Sequence, residues 1–400
     1  MANKTDLYKR KVLKELCFGQ ILSGPELSNR MEKSLPLTTR ILNELVREGL
    51  VEEKGFAVST GGRRPMMYSL VREKMYVVTV AMDQLVTTIG MMDLQNSGII
   101  NPRKYSLALT RNPQSLKELG EILSAYLDEN NIARDKIIGV GIGMPGFVDS
   151  EKGINYSFLE SPVGSLTDYL ENQLELPVYI DNDSSLIALS ELRFGMAHGK
   201  KNVMVININW GVGLGMIVNG ELFRGHNGFA GEFSHIPVFN NNKLCSCGKS
   251  GCLETEASMM VVVEKARQGL KNGRVSTIQS IPDDFEAACN LIMEEALKGD
   301  QFAVELFSEA AYNIGRGLAF LIHIMNPELI VLSGRGASLG RLWLAPVQQA
   351  LNRYCIPRLA AYTELAVSTF NKNAELIGAA ALVIERFDKN VLQKTAEIQS

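Results

Sequence analysis

The chain has 400 residues, too many for one small core, and its length points to two or three domains. The composition is 46% hydrophobic and 21% charged, with a mean hydropathy of +0.02, as in ordinary globular proteins. No apolar run approaches the length of about 18 residues needed for a membrane span. The N-terminus, MANKTDLYKRKVLKEL, lacks the apolar core of a secretory signal, so a cytoplasmic location away from membranes is expected. A net charge of −3 would argue against a nucleic-acid partner if it were spread evenly. It is not: residues 1–72 carry 13 Lys/Arg against 8 Asp/Glu, a net of +5 that leaves the remainder at −8. A basic head on an acidic body suits one module for phosphates and another for a different ligand.

In chain order, the spacing predicts a first helix over 7–18, with Leu7, Val12, Leu13, Leu16 and Cys17 near one face. Ser23-Gly-Pro-Glu26 predicts a second helix, with Ser23 as cap, Pro25 in the first turn and Glu26 at the capping-box offset. A third helix is expected over 37–48, ended by Gly49. Two strands then flank the basic loop Ser59-Thr-Gly-Gly-Arg-Arg-Pro65 as a wing. Such a head would be a winged helix-turn-helix over 1–72, reading double-stranded operator DNA. The third helix presents Thr38, Thr39, Arg40 and Asn43 to the major groove, and Arg63 and Arg64 reach a minor groove or phosphates. The plain alternative is a docking module of three small helices and a hairpin.

From Tyr76 onward strand-like runs alternate with helices, which signals an α/β body over 73–400. Strands are expected at 76–82, 89–94, 137–142, 178–180, 203–208 and 329–332. Helices are expected at 113–130, through 283–323 and at 374–387, and no short tandem repeat is visible.

Six cysteines occur, and Cys245, Cys247 and Cys252 crowd into eight residues while Cys17, Cys289 and Cys355 lie apart. That pattern suits a metal site rather than a disulfide framework. Gly248 and Gly251 permit the turns that converge three sulfurs, and His235, ten residues upstream, is the nearest histidine. Three thiolates and an imidazole form a closed set, so a structural Zn2+ is expected.

With these residues in view, the chain resembles the ROK family (repressors, open reading frames, kinases), and its NagC/XylR-type repressor branch in particular. The likeness covers nearly the whole chain and is most specific at Gly231-Glu-Phe-Ser-His235 and Cys245-x-Cys-Gly-x-x-Gly-Cys-Leu-Glu254. It implies a two-lobed, actin-like (ribonuclease H-like) sugar-kinase-type α/β body. Lobe one would span about 73–182 with the C-terminal helix 374–388, and lobe two about 183–373 with the zinc loop 235–254. By resemblance, Glu232, His235 and Glu254 bind sugar hydroxyls, and Asn182 and Asp183 match the family's Asn-Asp pair. That aspartate is the general base in kinase members; a helix cap is the simpler reading of Asp183.

Kinase members of the family carry Asp-x-Gly-Gly-Thr in the first β-turn, where this chain has Asp83-Gln-Leu-Val-Thr87. Leu85 and Val86 would fill the phosphate space that glycines leave open. The second phosphate turn reads Trp210-Gly-Val-Gly-Leu-Gly215, with Trp210 where a hydroxyl residue is expected, and Arg335 breaks a glycine pair in the adenosine-side motif 326–336. These departures predict a protein without catalysis: a repressor of carbohydrate genes relieved by a sugar or sugar phosphate, acting as a homodimer or homotetramer. A glucokinase-like sugar kinase, control by a protein partner and an activator role remain the alternatives.

Overall fold

One apolar stripe organises the head. Helix α1 (Lys4–Gly19) buries Val12, Leu13, Leu16 and Cys17. A three-residue strand, β1 (Ile21–Ser23), leads into α2 (Gly24–Arg30). The Ser23 hydroxyl accepts the Glu26 amide at 3.3 Å, and the Glu26 carboxylate accepts the Ser23 amide at 2.7 Å. This is the reciprocal capping box that the sequence predicts. Helix α3 (Leu35–Arg47) has Pro36 in its first turn and buries Ile41, Leu42 and Leu45. Gly49 follows at φ +69°, left-handed backbone that glycine adopts without strain. Strands β2 (Val51–Phe56) and β3 (Met66–Leu70) form the wing hairpin, with β1 on the far side of β3. Three helices with this small antiparallel sheet are consistent with a winged helix-turn-helix. The third strand was not expected, because three residues carry no readable periodicity.

The computed structural model describes residues 4–58, 64–84, 86–96, 98–110, 112–162 and 164–388. The chain divides into two units: Met1–Asp183 with Leu376–Ser400, and Ser184–Glu375. Beyond the head, the first unit contains β4 (Tyr76–Met82), β5 (Val86–Asp93), β6 (Ile100–Ser106), α4 (Ser115–Glu129) and β7 (Ile137–Met144). Short β8 (Val148–Asp149) and β9 (Ile154–Asn155), α5 (Leu166–Leu174) and β10 (Val178–Asn182) complete it. Its sheet runs β10-β7-β4-β5-β6, with β10, β7 and β4 parallel and the outer two antiparallel. Val78, Val80, Ile89, Val140 and Ile142 from the sheet pack with Leu119 and Leu123 of α4.

The second unit follows α6 (Asp183–Phe194) with β11 (Val203–Ile208), β12 (Val212–Val218) and β13 (Glu221–Phe223). Then come α7 (Glu254–Ala257), α8 (Met259–Lys271), α9 (Phe285–Lys298), α10 (Gln301–Met325) and β14 (Leu329–Ser333). Helices α11 (Leu344–Tyr354) and α12 (Pro357–Ala360) precede β15 (Glu364–Val367). The sheet order is β13-β12-β11-β14-β15. Both sheets therefore have the same plan, three antiparallel strands followed by two parallel ones, with each first strand at the centre. The single helical stretch expected over 283–323 is two helices. Gly299, at φ +93°, ends α9, and the Asp300 carboxylate caps α10 by accepting the Ala303 amide at 2.8 Å.

The last helix, α13 (Ala374–Arg386), belongs mainly to the first unit and lies against β7. A Cβ at Gly141 would stand 2.1 Å from the Ala379 carbonyl oxygen, so only glycine permits this approach. At its C-terminal end the helix meets the head: Lys14 donates to the Glu385 carbonyl in its last turn at 3.1 Å and pairs with Asp388 just beyond it at 2.9 Å. Arg10 donates to the Phe387 carbonyl and lies over that ring at 4.8 Å. Among the described residues, no helix is long and apolar enough to cross a membrane.

Candidate functional site

The metal candidate is built from two segments held on one helix. Phe233 and Leu253 are both buried, and each approaches α10 where Gly317 offers no side chain. Phe233 fixes the turn that carries Glu232 and His235, and Leu253 fixes the residues on either side of it, Cys252 and Glu254. Between them the Phe239 amide donates to the Gly251 carbonyl, and the Cys245 amide to the Lys249 carbonyl at 2.8 Å. Gly251 sits at φ +79°, where a Cβ would come within 2.1 Å of the Phe239 carbonyl oxygen. The sequence foresaw the glycine's turn, though not that close approach.

One nitrogen or sulfur from each of His235, Cys245, Cys247 and Cys252 lies within 4.8 Å of the others. Cys247 Sγ and Cys252 Sγ are 3.6 Å apart, and Cys245 Sγ is 3.4 Å from His235 Nδ1. A tetrahedral ion with metal–sulfur bonds of about 2.3 Å separates its sulfurs by roughly 3.8 Å, so these four donors fit such an ion. The set the sequence predicted is thus brought together as a candidate metal centre. Burial and the neighbouring thiols push the Cys252 thiol up to about 12, whereas the Lys249 amide, first among several donors, draws the Cys247 thiol down.

His235 presents its other nitrogen to a carboxylate: Nε2 is 3.6 Å from Glu232 Oε2. Burial pushes the Glu232 carboxyl above its ordinary range, His235 opposes the shift and Glu254 adds to it. Glu254 accepts from the Ser234 hydroxyl at 3.3 Å and from the Val212 amide at 3.4 Å. The second unit therefore groups Glu232, His235 and Glu254 beside the metal candidate, with Ser234 as a partner that sequence reading missed. Its place inside the Gly231–His235 motif was the available signal.

Asn182 and Asp183 stand at the end of β10 and the start of α6. The Asn182 amide group donates to the Gly146 carbonyl at 3.2 Å, and Asn155 donates to the Pro145 carbonyl at 3.0 Å. Asn155 thus shares this turn with Asn182 in the first unit, a role the sequence did not suggest. An open cavity of about 1130 Å³ adjoins it, lined by Asn155, Tyr156, Phe158, Gln114, Lys117 and Tyr169 among others.

At the first glycine-poor turn the Asp83 carboxylate accepts the Val86 amide at 2.7 Å, and Val86 opens β5 paired with Ser106. Leu85, the other residue expected to fill phosphate space, lies outside the described residues. At the second turn Arg335 lies over the Trp210 ring at 4.4 Å, donates to Asn209 Oδ1 at 3.4 Å and pairs with Glu286 at 3.2 Å.

On α3, Thr39, Arg40 and Asn43 are exposed on one face together with Pro36 and Arg47, two positions the sequence reading passed over. Thr38 departs from expectation: it is fully buried, and its hydroxyl donates to the Ser34 carbonyl at 3.2 Å. It lies three residues before Ile41 and four before Leu42, which places it on the apolar side of the helix. Thr38 is therefore a core residue of the head and not a base-facing one. Arg64 is exposed. Arg63, its expected companion at the wing, lies outside the described residues.

The ROK family model matches residues 86–386, and the chain belongs to the ROK family. A xylose repressor of Caldicellulosiruptor bescii is 26% identical over 392 residues, which cover 96% of this chain and 98% of the relative. The crystal structure of a ROK family transcriptional regulator, a homolog of the E. coli MLC protein, superposes with a TM-score of 0.77 at 24% identity. That likeness covers 98% of this chain and all of the other, and establishes the fold. A ROK family glucokinase from Streptomyces griseus, in complex with glucose and AMPPNP, superposes at 0.65 with 27% identity. It covers 77% of this chain and 98% of its own. The chain is thus related both to DNA-binding repressors and to sugar kinases.

Proposed function

We propose that this protein is a cytoplasmic, sequence-specific transcription repressor of carbohydrate-metabolism genes that a sugar or sugar phosphate releases from DNA. The observation that carries this reading is the head: a helix with an exposed Thr39, Arg40, Asn43 and Arg47 face on a family body that groups Glu232, His235 and Glu254. Likeness to a full-length xylose repressor supports it. Carboxylates and an imidazole suit a ligand rich in hydroxyls. The metal is Zn2+, whose structural role is to hold His235 in orientation while its Nε2 faces Glu232. Asn182 and Asp183, at the junction of β10 and α6, serve as sugar-binding groups of the first unit without acting in catalysis. A homodimer or homotetramer of an actin-like, two-lobed body carries the heads to a two-fold symmetric operator. An effector releases DNA only by binding the non-repressing conformation more tightly.

The test is a mobility-shift titration on operators obtained by binding-site selection, run against free and phosphorylated sugars. Release by one sugar class at micromolar to millimolar concentration is expected. Indifference of the folded, metal-loaded protein to every sugar overturns the effector assignment. A second reading, an ATP-dependent sugar kinase, is favoured by the glucokinase likeness and by the retained Gly211, Gly213 and Gly215. Coupled ADP release across hexoses decides between the two.

A further inference from the structure

Trp210 and Arg335 are separated by 125 positions, yet they form one structure in the second unit. Trp210 sits in the turn between β11 and β12 and packs partly against the unit's core. Arg335 follows Gly334 at the end of β14, which pairs in parallel with β11, so the two strands deliver both residues to the same sheet end. The guanidinium lies on the indole at 4.4 Å. Its Nη1 pairs with Glu286 on α9 at 3.2 Å, and its Nε donates to Asn209 at 3.4 Å. Both members of the ion pair are mostly buried, with side-chain exposures of 17% and 26%. One guanidinium therefore ties together the β11–β12 turn, the β14 end and α9.

A glycine turn at a strand end accepts a phosphate chain only when its amides and the space above them are open. Here an indole stands at the head of the turn, a cation covers the indole, and a carboxylate locks the cation in place. We infer that Trp210, Arg335 and Glu286 form a clasp that closes this turn to nucleotides and takes the structural place a nucleotide would hold between the β11–β12 turn and the β14 end. The inference rests on the proposed loss of kinase activity and deepens it, because the exclusion is attributed to a built contact. A merely eroded motif would leave Arg335 extended into solvent; this one is held by an aromatic face, an amide oxygen and a carboxylate.

The experiment uses the full chain with Mg2+ and AMPPNP as the probe, followed by calorimetry, and compares the native protein with the Trp210→Thr/Arg335→Gly double variant. Metal content and thermal melting verify the fold. The native protein is expected to bind at least about tenfold more weakly than the double variant. If the native protein binds as tightly as the variant, both the clasp and the loss of the nucleotide site are overturned. If neither binds while both are folded, the clasp is overturned as the barrier and the non-kinase reading stands. Arg335→Gly alone supplies a second readout that needs no nucleotide. The only other tryptophan, Trp343, is 1% exposed, so acrylamide quenching reports mainly on Trp210. Quenching should rise about twofold when the covering guanidinium is removed; an unchanged constant shows that the ring was not covered.

Discussion

At the residue scale, the candidate metal set and the proposed DNA-facing set make different demands on their surroundings. Cys247 is the exposed member of the four candidate ligands, so Cys247→Ser removes a donor without leaving a cavity in the core. Metal content should fall from about one equivalent to a minor fraction, with a lower melting temperature, because ligand binding and local folding are linked. Elemental analysis decides it, and a full equivalent in the folded variant means that another donor completes the set. On α3, Arg40→Ala should cost about 1–3 kcal/mol at the selected operator and relax base preference. Thr38→Val, being a core change, should leave operator affinity nearly unaltered; anisotropy titrations of both variants separate the roles. The ligand set was legible because three cysteines in eight residues are rare and their glycines announce the turns. The error at Thr38 has a physical source. Counting from Pro36 places Thr38, Thr39 and Arg40 together at the helix start, but a helix turns 100° per residue, and only its apolar neighbours show which of the three faces inward.

At the element scale, the capping box of α2 offers a sharp test. Ser23→Ala removes the acceptor for the Glu26 amide and should destabilise the head by about 1 kcal/mol. The Ser23 hydroxyl and amide hold the Glu26 carboxyl below the ordinary glutamate value of 4.5. A depressed carboxylate contributes stability that is present above the unfolded value and is lost as pH falls through the folded one. The difference between the native protein and Glu26→Gln should therefore be full above about pH 5 and shrink below pH 4.5. Denaturant melts of the head at pH 7, 5 and 4 measure it, and a gap that widens on acidification reverses the sign. Long elements with strong alternation, such as β4 and β11, were read from sequence with the ends they have in the fold. Strand β6, Ile-Asn-Pro-Arg-Lys-Tyr-Ser, was not read, because it is an exposed edge strand that contains proline and two adjacent cations. The break between α9 and α10 was visible in Gly299-Asp300, yet it was overridden by apolar periodicity continuing on both sides.

At the scale of the whole molecule, the two sheets share one strand plan without any repeat in the residues. Topology is carried by which runs are apolar and by the lengths of their connections, and many sequences satisfy the same pattern. Charge is also organised at this scale, +5 in residues 1–72 against −8 in the remainder. Affinity for non-specific duplex should therefore fall about tenfold or more between 50 and 200 mM salt, as counterion release requires, and the isolated body should not bind. A flat salt curve removes the electrostatic case for the head. The last helix has a consequence for genetics. Helix α13 lies on β7 at Ala379 and Val383, and at its C-terminal end Glu385, Phe387 and Asp388 hold Lys14 and Arg10 of the first helix. A stop codon shortly before residue 374 would spare every side chain proposed to face bases while stripping the head of its anchorage. A screen for derepressed mutants should thus recover lesions at both ends of the reading frame, and those at the far end would mimic permanent induction with Glu232, His235 and Glu254 untouched.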